Sequence, residues 1–164
     1  MFELNYRIVH SEYDDFPGQH GFLQIKCDGY DYGEMYPREI EAIMDKVSLY
    51  DWFERLAKVI KNLMIKEYVA LSDVESFNTW IEFQKRNEEV VISIIKAKKE
   101  KGSHDIEFDL KKTESVEWTS QAISFYQFKA EVIEKGREYI KNIIATNTEN
   151  ILIDKMRRDF ETIL

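Results

Sequence analysis

A lone cysteine, Cys27, leaves the 164-residue chain no internal disulfide, and with only three scattered histidines it supplies neither a C-x-x-C pair nor a zinc framework. A secreted disulfide scaffold is thereby excluded. Two prolines and six glycines are too few for a disordered or linker-rich protein, and no linker or internal repeat divides the sequence. Positive charge is the minority: 23 Lys and Arg stand against 31 Asp and Glu, a net charge of -8. That balance repels phosphate backbones and attracts basic protein surfaces, so direct nucleic-acid binding is not expected. Long apolar runs are missing too, and the opening "MFELNYRIVHSEYDD" reaches acidic residues before a secretory signal or a membrane span could form. The expectation is a cytoplasmic protein without membrane contact. Nor is there a G-x-S-x-G elbow, a phosphate-cradling glycine loop or an H-E-x-x-H pair, so no catalytic residue and no cofactor is named.

What is present is enough for a core. The chain is 44% hydrophobic and 13% aromatic, and a domain of this length buries roughly 70% of the surface its unfolded chain exposes. Residues 1–164 read as one domain. "FELNYRIVH" alternates with the period of a half-buried strand, and "FLQIKC" repeats the pattern after the Pro17–Gly18 turn. "EIEAIMDKV" fits strand and helix alike and is assigned to a strand. "SLYDWFERLAKVIKNLMIK" sets Leu49, Trp52, Phe53, Leu56, Ile60 and Leu63 on one helical stripe, with Ser48 and Asp51 as its N-terminal cap. "TWIEFQK" and "EVVISIIKA", joined by Arg86, Asn87 and Glu88, predict a hairpin.

"DIEFDL" predicts a strand with Ile106, Phe108 and Leu110 inward and Asp105, Glu107 and Asp109 on a wet, acidic face. After "SVEWTS", a further strand, Phe128, Val132, Ile133, Tyr139, Ile140 and Ile143 form a second long stripe, with Gly136 where a bulkier residue would hold the helix off the sheet. Residues 146–164 predict a short amphipathic helix, Thr146 and Glu149 forming its capping box. Strands that come in runs point to an α+β fold, a mostly antiparallel sheet with two long helices on one face and the short C-terminal helix added.

The densest chemistry lies in "CDGYDYGEMYP", residues 27–37. Asp28, Asp31 and Glu34 are hard oxygen donors, but their spacing lacks the alternating positions and closing glutamate of a calcium loop, so no metal is assigned. Cys27 has Lys26 on one side and carboxylates on the other, which favours a buried, inert thiol over a reactive one. Tyr30, Tyr32 and Tyr36 among acids and glycines predict a loop that meets another protein, tyrosine offering area and a polar tip together.

The order of elements resembles that of bacterial immunity proteins of polymorphic and contact-dependent toxin systems, particularly those paired with wall-associated toxins. The resemblance rests on "GFLQIKCDGY", "SLYDWFERLAKVIKNL", "WIEFQKRNEEVVISI" and "SFYQFKAEVIEKGREYI", spans about residues 1–145, and is one of element order and hydrophobic pattern. It implies a protein that binds and neutralises a cognate toxin domain, such as a nuclease, by covering a basic active-site surface. The partner-binding residues are then Asp28, Asp31 and Glu34 as charge partners, Tyr30, Tyr32 and Tyr36 as anchors, and Asp105, Glu107 and Asp109 as a second surface. Two alternatives stay open: a small hydrolase pairing a carboxylate with His10 or His20, which requires a pocket where they converge, and a non-catalytic homodimer held by the last helix.

Overall fold

The computed structural model describes residues 1–73, 75–110, 112–146 and 150–164. Its elements confirm the α+β class, with every described strand pairing antiparallel. The strands divide between two sheets. In the first, β1 (Phe2–Ile8) and β2 (His20–Cys27) pair in full register from Phe2 opposite Cys27 to Ile8 opposite Gly21. β3 (Tyr30–Gly33) lies on the other side of β2, as does the two-residue β4 (Val47–Ser48). The second sheet is built on β5 (Tyr68–Ser72), β6 (Thr79–Arg86) and β7 (Glu89–Lys96). Short strands β8 (Ile106–Glu107), β9 (Ser115–Thr119) and β10 (Ile123–Ser124) edge it.

Among the described residues three helices join the sheets around the main core. α1 (Leu49–Leu63) follows β4 directly, because the Ser48 hydroxyl accepts the Asp51 N–H at 3.2 Å and Asp51 meets the positive helix end. It packs against β2 of the first sheet and β5 of the second, which is why the sheets share a core without sharing a strand. α2 (Phe125–Ile144) lies on β1 and β10, its stripe entering the core at Phe128, Val132, Tyr139, Ile140 and Ile143. α3 (Ile151–Glu161) buries Ile153, Met156 and Phe160 against both other helices.

Five readings of the sequence are corrected. "EIEAIMDKV" forms neither strand nor helix before Val47: it runs through successive turns, Ile40 N–H to Pro37 O and Ile43 N–H to Ile40 O, and leaves Ile43 81% exposed. The strand "YVALS" had not been expected, although its centre is fully buried. In "DIEFDL" only Ile106 and Glu107 pair with β5; Ile106 turns to the main core, whereas Leu110 joins a second cluster on the opposite sheet face. Phe108 is exposed, with the Lys66 ammonium 4.1 Å from its ring centre. That opposite face is not wet throughout, for Ala70, Trp80, Ile95 and Ala97 bury one another there, the Trp80 indole donating to Ala97 O at 3.1 Å. The space at Gly136 is filled by Phe160 of α3 and not by the sheet. The cap read for Glu149 lies outside the described residues; α3 is capped by Asn150, whose side chain accepts the Leu152 N–H at 2.8 Å.

α3 is tied to α1 by Lys155, 2.8 Å from Glu54, which also pairs with Lys58 at 3.2 Å. Burial pushes the Glu54 carboxyl up, but the two ammonium groups outweigh it and hold it below the ordinary carboxylate range. The folded state therefore favours ionised Glu54, and the resulting stability is complete above the ordinary carboxylate pKa and disappears as pH falls through the depressed one. Acidification from pH 7 toward pH 3 is expected to lower the unfolding midpoint, with a shallower decline in Glu54→Gln; equal slopes in thermal melts of the two proteins would contradict the assignment.

Candidate functional site

The stretch that sequence reasoning took for a loop is a tight hairpin. Asp28 and Gly29 both adopt left-handed backbone, φ 50° and 84°, the geometry that joins twisted strands through two residues. Asp-Gly is the usual sequence for such a turn and is the local signal of this hairpin. β3 consequently pairs Tyr30 with Cys27, Tyr32 with Ile25 and Gly33 with Gln24. A Cβ on Gly33, whose φ is +85°, would strike the Leu23 carbonyl oxygen at 2.2 Å.

Pairing fixes where the tyrosines go. Tyr30 and Tyr32, two residues apart, share a face of the strand. Tyr30, 44% exposed, stacks on Trp118 of β9 with ring centres 5.2 Å apart. Tyr32 is half-buried, donates its hydroxyl to Asp73 just after β5, and packs edge-on to Trp52 of α1. Tyr36 lies edge-on to Phe22 at 5.2 Å, and its carbonyl accepts from Arg7. The three rings thus bridge elements of their own chain before any partner arrives.

The acidic residues are divided in the same way. Asp28 pairs with the Met1 amino group at 2.7 Å, and Asp31 lies 3.8 Å from Lys26. Asp105 is 3.3 Å from Arg55, Glu107 accepts the His104 N–H at 2.8 Å, and Asp109 is exposed. Glu34 is exposed and stands at a cavity that the sequence did not reveal. Cys27 is 1% exposed, and burial pushes its thiol up.

That cavity, about 260 Å³, opens where β3, the 34–47 segment and the turn after β5 meet. Its walls are Phe22, Tyr32, Tyr36 and Trp52, and four carboxylates line it: Glu34, Asp45, Asp73 and Glu75. No lysine, arginine or histidine is among its lining residues. Asp73 is buried and accepts the Tyr32 hydroxyl and, at 2.8 Å, the Glu75 N–H. Burial, then the Asp73 charge, push the Tyr32 hydroxyl up, and the same two causes push the Glu75 carboxyl up. Ionised Glu75 is thus disfavoured first by burial and then by its like-charged neighbour, with the His20 and Arg55 charges acting the other way.

Asp45 and Glu75 also border a larger cleft of about 910 Å³ containing His10, His20, Ser11 and Glu41. Asp14 joins both histidines, its Oδ1 2.6 Å from His20 Nδ1 and its Oδ2 3.3 Å from His10 Nδ1. Burial pushes the Asp14 carboxyl up, yet the Ser11 N–H and His20 bonds outweigh it and the net direction is down. Such a pair can orient an imidazole for proton transfer. Among the described residues no hydroxyl or thiol is hydrogen-bonded to His20.

Sequence reasoning missed Asp14, Asp45, Trp52, Asp73 and Glu75 as members of one region. Asp73 is 41 positions from Tyr32, and no local pattern announces a contact of that span. Among the described residues no group of three or more His, Cys, Asp or Glu side chains has the arrangement to hold a metal ion, and no helix is long and apolar enough to cross a membrane. Comparison of the chain with protein-family models, with curated proteins and with solved structures finds no match.

Proposed function

We propose that the chain acts as an immunity protein, binding a cognate toxin domain and neutralising it by covering a basic active-site surface. The observation that carries this reading is the cavity beside β3, lined by four carboxylates and four aromatic rings, with Arg7 over Phe22 and with Arg55 and His20 acting on Glu75 from outside the lining. A net charge of -8 adds long-range attraction, which steers association with a basic surface. Inhibition by occlusion requires no chemistry from the inhibitor. The resemblance in element order to toxin-system immunity proteins points the same way.

The test is capture of a toxin domain encoded beside this chain. A salt-sensitive complex is expected, weakened about ten-fold or more when Glu34, Asp45 and Glu75 are replaced together by their amides. Undiminished binding by that triple variant would remove the cavity from the interface. The Asp28, Asp31 and Tyr30 positions are expected to contribute less, because each already has a partner within the chain.

A second reading, a small hydrolase, is favoured by one observation, the Asp14–His20 pair at the large cleft. It predicts a turnover that is lost in both His20→Ala and Asp14→Asn. The homodimer alternative would have to use the exposed Ile151, Leu152 and Leu164, since Ile153, Met156 and Phe160 of α3 are buried in the core.

A further inference from the structure

We propose that the groove along α2, closed on one side by the end of α3, receives an amphipathic helix of a partner protein whose apolar stripe is interrupted by one carboxylate, paired with Arg137. The groove shares no lining residue with the cavity beside β3, so this binding goes beyond the toxin-covering reading and stands or falls apart from it.

α2 carries two stripes. The first, Phe125, Phe128, Val132, Tyr139 and Ile143, enters the core. The second runs beside it through Tyr126, Ala130, Ile133, Arg137, Ile140 and Ile144, in steps that alternate four and three residues. That alternation is the seam of a packed helix pair, in which each side chain enters a hole on the facing helix. Here the seam is open at both ends, Tyr126 being 75% and Ile144 47% exposed. Two hollows flank Arg137, one of about 430 Å³ that includes Tyr126 and Leu164, the other of about 370 Å³ that includes Ile144 and, from α3, Arg157, Phe160 and Glu161. From Tyr126 to Ile144 the seam extends about 27 Å at the rise of an α-helix. That length accepts a partner helix laying anchors at i, i+3/i+4 and i+7 into a groove.

Charge selects the occupant. Lys129 and Arg137 share the first hollow with Glu134 and the Leu164 carboxyl, a balanced set; Arg137, Lys141 and Arg157 share the second with Glu161 alone. Arg157 is engaged by Asp154 at 3.2 Å, whereas among the described residues no carboxylate lies within ion-pairing distance of Lys129, Arg137 or Lys141. The excess is therefore cationic and centred on Arg137, in a chain whose net charge is -8. A helix that covered Arg137 with an apolar residue would desolvate an unpaired guanidinium, so the occupant must set a carboxylate there. One such polar position in an apolar seam also fixes the register. A second copy fits less well, because it brings a further -8 against the first. A flat anionic membrane would meet Glu134 and Glu161 and leave both hollows unfilled.

The probe is a three-heptad peptide of alanine and glutamine with leucine at its seam positions and one glutamate at the central one, fluorescein-labelled and too dilute to pair with itself. The full chain is titrated into it while fluorescence anisotropy is followed. Saturable binding is expected, weakened about ten-fold when glutamine replaces the glutamate and lost when lysine does. Arg137→Glu should reverse that order, accepting the lysine peptide and rejecting the glutamate one, and Ala130→Gln, which fills the first hollow, should weaken both. Both residues are exposed on α2, and thermal melts confirm that the variants fold. Equal binding of the glutamate and glutamine peptides, or an order unchanged by Arg137→Glu, would overturn the proposal. Sedimentation of the chain alone as a dimer that Ala130→Gln dissolves would also overturn it, making a second copy the occupant. So would retention on phosphatidylserine vesicles, lost in Arg137→Glu, with no peptide binding. Peptide binding without capture of the neighbouring toxin domain keeps the groove and removes the immunity function; the reverse result removes the groove alone.

Discussion

Alanine at Gly21 is expected to destabilise the protein by about 3 kcal/mol or more, the upper end of overpacking costs. Gly21 lies opposite Ile8 near the open end of the β1–β2 ladder, and a Cβ there would sit 2.0 Å from the carbonyl oxygen of Arg7 and 2.8 Å from Cδ1 of Leu49. Leu49 could change rotamer. The Arg7 carbonyl belongs to a strand held in register over seven residue pairs, so relief requires the two strands to part. Parting them disturbs β4 as well, because Gly21 also opposes Val47, and β4 leads into the cap of α1. Urea unfolding is the measurement, and a fall in midpoint at unchanged slope is the expected form. A loss below about 1 kcal/mol would contradict the β1–β2 register.

At the helix interface a single glycine sets the distance between α2 and α3. A Cβ on Gly136 would lie 2.2 Å from both Cε1 and Cζ of Phe160, a ring that is 2% exposed. Gly136→Ala gains about 1 kcal/mol in helix propensity. Displacing Phe160 costs more, so a net loss of about 1–3 kcal/mol is expected. Phe160→Ala should cost about 3–5 kcal/mol by emptying the site. The informative protein is the double variant: with the ring gone, the new methyl has room and the propensity gain survives. Gly136→Ala/Phe160→Ala should therefore be no less stable than Phe160→Ala alone. Simple additivity of the two losses in thermal or urea unfolding would show that Phe160 does not occupy the space over Gly136.

The hydrophobic period was sufficient wherever an element was long and one of its faces met the core. β1 alternates through Phe2, Leu4, Tyr6 and Ile8, α1 repeats its stripe over 15 residues, and the β6–β7 turn is marked by Asn87 at φ 54°. The period failed in short or two-sided segments. "DIEFDL" alternates as a strand should, but its apolar residues serve clusters on opposite faces of the sheet, so only two residues pair. "YVALS" is buried on both faces and shows no alternation to detect. "EIEAIMDKV" carries apolar residues that the fold leaves partly in water, which no pattern can disclose.

Composition and pattern by themselves determined the α+β class, the acidic surface, the two long helices with the cap of the first, and the absence of a disulfide. These follow from local periodicity and from counts, which need no knowledge of distant contacts. Tertiary structure alone decided that the "CDGYDYGEMYP" tyrosines are first used to fasten β3 to Trp118, Asp73 and Phe22. It alone brought Trp52, Asp73 and Glu75 to the same cavity as Glu34 and Asp45. Those side chains come from separated segments, and only the packing of both sheets on α1 places their like charges around one small space.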